Sequence, residues 1–188
     1  MNTGRHPEVR VPPEPHASNI AKLALYMPSK LSILVFVASP LDDARYRHTA
    51  LYFEFDAQAQ APSTGFNINA GTDGSAGEIR SSMMEVVGST GFFSFSERVN
   101  AALPVEATGL ARAIFVSCIP DTVPVSSLRA TVSGTPIADG EGDWNSQNWV
   151  GDALGRLVTA GYLEGEARDQ GLEEMVNAVL EATDEAIA

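Results

Sequence analysis

The chain has one cysteine, Cys118, and three histidines, His6, His16 and His48. A single thiol excludes an intrachain disulfide and a cysteine-based metal cluster. Two of the histidines lie in a proline-rich N-terminal stretch, so no metal and no cofactor is expected. If the body of the chain uses a histidine for chemistry, it is His48. Basic residues are scarce too: 12 Lys and Arg stand against 24 Asp and Glu, a net charge of −12. Nucleic-acid binding relies on Lys and Arg neutralising phosphates, and with no basic stripe present nucleic acid is not an expected partner. No apolar run approaches the ~18 residues that a membrane-spanning helix needs. The N-terminal stretch also lacks the apolar segment of a secretory signal. The expectation is a cytoplasmic protein without a membrane span.

What is present reads as one globular domain: 188 residues, 44% hydrophobic and 19% charged, enough to bury a core. Residues 1–16 are expected to form a disordered Pro-rich tail and residues 17–188 a single α+β domain. A short helix is expected over 18–27. Residues 31–38 are apolar except for Ser32, as in a central strand. Residues 48–55 alternate, with Thr49, Leu51, Phe53 and Phe55 on one face and His48, Ala50, Tyr52 and Glu54 on the other. Further strands are read at 66–70, 79–87, 92–95 and 110–119, with a glycine-rich loop at 71–77. Cys118, near the end of an apolar strand, is expected to be a buried structural thiol.

Helices follow at 125–133, with Pro124 near the first turn, and at 147–160, with Gly161 as the residue that ends it. In the last helix Leu172, Met175, Val176, Val179, Leu180, Thr183 and Ile187 form one apolar stripe. From 162 onward there are eight acids and one arginine, which fits a solvated helix face. Strands followed by helices argue an α+β fold, an antiparallel sheet packed with helices.

The run Asp143-Trp144-Asn145-Ser146-Gln147-Asn148-Trp149-Val150 holds both tryptophans of the chain and opens a helix. Asp143 or Asn145 is placed to cap it, which puts Ser146 in the first turn. Free N–H groups and the positive dipole end there favour an anion, so a nucleophile at 146 would be stabilised and an oxyanion could be received. Serine at that place also serves simply as a capping residue. Trp144 and Trp149 either line a cleft or wedge the helix onto the sheet.

The order of a histidine opening a strand, then further strands, then Asn145-Ser146-Gln147-Asn148-Trp149-Val150 opening a helix resembles the circularly permuted papain-like fold. That superfamily includes lecithin:retinol acyltransferase, NlpC-type and PPPDE-like hydrolases. The motif is most similar to fungal proteins with an Asn-Cys-Gln-x-Trp-Val sequence, and Arg47-His48-Thr49-Ala50-Leu51-Tyr52 is the upstream counterpart. The resemblance spans roughly residues 30–165 and implies His48 as general base and position 146 as nucleophile. Glu85, in Met84-Glu85-Val86-Val87-Gly88, takes the place of the residue that orients the imidazole, with Asn69 as the alternative. Asn145, Gln147, Trp144 and Trp149 become substrate- or oxyanion-binding candidates.

Ser146 departs from the cysteine of that pattern, whether as an engineered replacement or as the natural residue of a serine hydrolase or a pseudoenzyme. The implied function is a hydrolase or acyltransferase acting through an acyl-enzyme on an amide, isopeptide or ester, with a small-molecule or peptide-like substrate. The alternatives are a non-catalytic binding protein and a small-molecule cyclase or isomerase that reuses the pocket. Homo-oligomerisation is left open.

Overall fold

The computed structural model describes residues 29–39, 42–55, 79–103, 109–138 and 142–182. Five strands, β1 (Ser29–Phe36), β2 (His48–Glu54), β3 (Ser81–Val87), β4 (Ser94–Val99) and β5 (Leu110–Ile119), are followed by helices α1 (Val125–Ser133), α2 (Ser146–Thr159) and α3 (Gly165–Leu180). The strands form one sheet in the order β4-β3-β2-β1-β5, and every neighbouring pair is antiparallel. The first four strands meander, and β5 returns to lie beside β1. The architecture is α+β. The expectations at 1–16, 18–27, 66–70 and 71–77, and those for Thr183 and Ile187, lie outside the described residues.

Strand alternation divides the apolar side chains between the two faces. Leu31, Ile33, Val35, Leu51, Phe53, Met84, Val86, Ile114 and Val116 join the main core with the buried sides of the helices. Helix α2 contributes Trp149, Val150, Ala153, Leu154 and Leu157. On the opposite face Leu34, Ala50, Tyr52 and Met83 form a smaller cluster with Phe36. Gly161, at φ +73°, ends α2. Its N–H bonds to Val158 O and the Tyr162 N–H to Leu157 O, the paired pattern of a Schellman stop. No helix among the described residues is long and apolar enough to cross a membrane.

Two expectations need correction. Cys118 is exposed, not buried. Counting by twos from Ile114 and Val116 aims it inward, but the β1–β5 register shifts between Leu31 and Ser32. The bulge reverses the alternation, so Cys118 pairs with the exposed Lys30 and Ile119 turns inward. The apolar stripe of α3 is also rotated. Val176 and Leu180 are exposed, while Gly171, Met175, Ala178 and Val179 are buried. The reason is Gly171: a Cβ there would lie 3.1 Å from Val116 Cγ2, so the missing side chain lets this side of the helix approach β5.

Candidate active site

Helix α2 begins with an extended Asn145 that caps it reciprocally. Asn145 Oδ1 accepts the Gln147 N–H at 2.8 Å, and the Asn145 N–H donates to Asn148 Oδ1 at 3.0 Å. This capping box satisfies N–H groups that the helix start leaves over. It makes Ser146 the first helical residue. The Ser146 N–H has no acceptor among the described residues and stays at the positive end of the helix.

The next residue ties the helix to the strand that carries His48. Gln147 Nε2 donates to Ala44 O at 3.0 Å and to Arg47 O at 3.1 Å. The turn before β2 is therefore held to the first turn of α2. Arg47 holds the same turn from the other side. Its Nε donates to Asp42 Oδ1 at 2.8 Å, and its Nη1 donates to the Ala178 carbonyl in the last turn of α3, where a cation is favoured. The Arg47 guanidinium keeps the Asp42 carboxyl below its ordinary range.

The sheet opens where the site lies. Strands β2 and β3 pair from Glu54↔Ser81 to Leu51↔Met84 and no further. Thr49 lies beyond the last pair, and its N–H donates to Ser146 Oγ at 3.1 Å, with Thr49 Oγ1 at 3.4 Å. The bond lengths of the intervening peptide then put Ser146 Oγ within roughly 6 Å of His48 Cα. An oxygen that accepts from Thr49 keeps its own proton available to donate.

His48 Nε2 lies 2.7 Å from Glu85 Oε2 on β3. That contact leaves Nδ1 with no partner among the described residues. The His48 ring packs against Phe36, with centroids 5.9 Å apart. The Glu85 side chain is only 7% exposed, and its other oxygen, Oε1, accepts from Arg98 Nη2 at 3.0 Å. Burial is the largest single influence on Glu85 and pushes its carboxyl upward; the bond and charge of His48 and the charge of Arg98 together outweigh it and hold Glu85 below its ordinary value.

His48 and Ser146 line one cleft of about 410 Å³, walled by Tyr46, Trp144, Phe93 and the β3–β4 turn from Gly88 to Thr90. Trp144 meets Phe93 edge to face at 5.4 Å. Gly88 has φ +128°, and a Cβ there would lie 2.3 Å from Phe92 O, so this turn requires glycine.

The sequence candidates thus separate by place. His48 and Glu85 are in contact, and His48 and Ser146 line one cleft. Trp144 is in the cleft wall, but Trp149 is fully buried against Phe95, 5.9 Å between centroids. Its role as a cleft residue is corrected to the core wedge that holds α2 on the sheet. The side chains of Asn145 and Gln147 are committed to the cap and the 44–47 turn. Asn69 lies outside the described residues. Thr49, read in the sequence only as part of the motif around His48, and Arg98, which carried no sequence signal, reach the site because the end of the β2–β3 ladder and the β3–β4 register bring them there. No group of three or more His, Cys, Asp or Glu side chains among the described residues is arranged to hold a metal ion. Compared with protein-family models, curated proteins and solved structures, the chain matches none.

Proposed function

We propose that the chain is an acyl-transfer hydrolase of circularly permuted papain-like type, with His48 as base, Glu85 as its orienting carboxylate and Ser146 as nucleophile. One observation carries the reading. Glu85 holds His48 through Nε2, and His48 lines the same cleft as Ser146, which stands at the start of a helix. A base so held keeps one tautomer, and its imidazolium is stabilised when it forms.

In the reaction, Nδ1 removes the Oγ proton as Oγ bonds to a substrate carbonyl carbon. The carbonyl electron pair moves onto oxygen, which the Ser146 N–H at the helix start receives. Collapse of the tetrahedral species breaks the bond to the leaving amine or alcohol, which takes the proton from Nδ1. Water then repeats the sequence on the acyl-enzyme and regenerates Ser146. The substrate is an amide, isopeptide or ester that reaches the 410 Å³ cleft past Tyr46 and Trp144.

A second reading has its own observation. Ser146 is only 5% exposed, and its Oγ bonds to Thr49, not to His48. In a binding protein that retains the fold, this serine only fastens α2 to β2. Substituting Ser146→Cys separates the two readings. Exposed Cys118 reacts with any thiol reagent, so the variant is made with Cys118→Ser. A chloroacetamide probe then labels position 146 rapidly if His48 acts on it, and His48→Ala slows the labelling by about 100-fold. Equal labelling with and without His48 removes the proposed pair.

A further inference from the structure

We infer that Arg98 is a positioning residue of this site, acting on His48 through Glu85. The inference rests on the acyl-transfer reading of His48 and Ser146 and deepens it. The geometry divides the Glu85 carboxylate between two partners: Oε2 faces His48 Nε2 at 2.7 Å and Oε1 accepts from Arg98 Nη2 at 3.0 Å. The carboxylate is thereby fixed at both oxygens. Arg98 reaches it diagonally across the β3–β4 ladder, from the position opposite Met83.

The need for a second partner follows from the charge states of the cycle. His48 must be neutral to accept a proton. At that moment Glu85 has no cation on its His48 side, and an uncompensated carboxylate in a nearly closed site is costly. Two outcomes would relieve the cost. Glu85 takes up a proton and loses its grip on the ring as an anion, or His48 stays protonated and ceases to be a base. Arg98 removes the conflict by balancing Glu85 while His48 is neutral.

Other charges near the cleft are already engaged or lie elsewhere. Arg47 is held by Asp42 and Arg45 by Asp43, and Asp143 lies on the α2 side of the cleft. On the ring's other flank β1 presents Phe36, which carries no charge. Because the Arg98 side chain is 60% exposed, its removal leaves no cavity in the core.

The test compares the unaltered chain with Arg98→Gln, Arg98→Met and Arg98→Lys. Ring ¹⁵N spectra of His48 at pH 7.5 report the neutral Nε2–H tautomer, and a fluorophosphonate probe reports the reactivity of Ser146 across pH. The tautomer fraction is expected to fall in the Gln and Met variants and to return in the Lys variant. Labelling at pH 7 is expected to drop roughly tenfold in the first two and to recover at higher pH. An unchanged tautomer in folded Gln and Met variants overturns the role of Arg98, as does a Lys variant that behaves like Gln. If Ser146 is unlabelled in the unaltered chain at every pH, the acyl-transfer reading fails by itself. The ring spectra still decide whether Arg98 governs His48.

Discussion

At the scale of single residues, the motif that opens α2 divides its work. Asn145 and Asn148 close the helix start, Gln147 fastens the turn before β2, and Ser146 is left facing the cleft. Replacing Asn145 with Ala removes the acceptor of the cap and should lower stability by about 1 kcal/mol, measured by urea denaturation. Gln147→Leu should cost about 1–3 kcal/mol by the same measurement, because the Ala44 and Arg47 carbonyls lose a shared donor. Its sharper effect is on His48, whose strand then starts from a loosened turn, so probe labelling at Ser146 should fall even where the variant is folded. Glu85→Gln keeps a side chain of similar shape but removes the charge that stabilises an imidazolium. It should reduce labelling more than it reduces stability. These roles were partly legible in the sequence. Asparagine before a helix is a cap by its chemistry, and a lone usable histidine upstream directs attention to His48. The roles of Arg98 and Thr49 were not legible: no local pattern marks Arg98, and the motif around His48 names Thr49 without giving it a contact.

At the scale of elements, apolar alternation located the strands well where both boundaries carry a signal. The strand at 110–119 begins after a glycine and ends before Pro120, and the helix at 125–133 lies between Pro124 and Gly134. Alternation failed inside β5, where a bulge turned Cys118 outward. It also could not choose between adjacent faces of α3, which the close approach at Gly171 decides. Helix α2 is the element on which the site depends, because its buried side presses against β2 and β3 and so places Ser146. Leu154→Ala, at a position with no exposure, should cost about 2–5 kcal/mol in urea denaturation. The β3–β4 turn is similarly constrained. Gly88→Ala must move the Phe92 backbone, and should lower the thermal midpoint while also altering the cleft wall.

At the scale of the whole molecule, the helices occupy one face of the sheet, and the site forms where that sheet parts between β2 and β3. Three carboxylates support this end and its flank: Asp42 through Arg47, Glu85 through His48 and Arg98, and Glu97 through Arg129 and Ser82. All three are held below their ordinary values: Asp42 chiefly by its bond to Arg47, Glu97 chiefly by its bond to Arg129, and Glu85, which burial alone pushes upward, by His48 and Arg98 together. A group shifted in this direction stabilises the fold above its unfolded value, and the contribution disappears as the pH falls through the folded one. The urea midpoint should therefore fall steadily as the pH is lowered below about 4.5. Arg129→Gln should flatten part of that fall by removing the partner of Glu97. The α+β layout was legible in the succession of strands and helices. The opening of the sheet was not, because it depends on where one ladder stops.

The central claim is that His48, held by Glu85, makes Ser146 nucleophilic. Its most direct measurement is the rate at which a fluorophosphonate modifies the unaltered chain, with the adduct located by peptide mass spectrometry. The account predicts a single adduct on Ser146 whose rate falls at least about 100-fold in His48→Ala. An adduct elsewhere, no adduct at any pH, or a rate indifferent to His48 would contradict it.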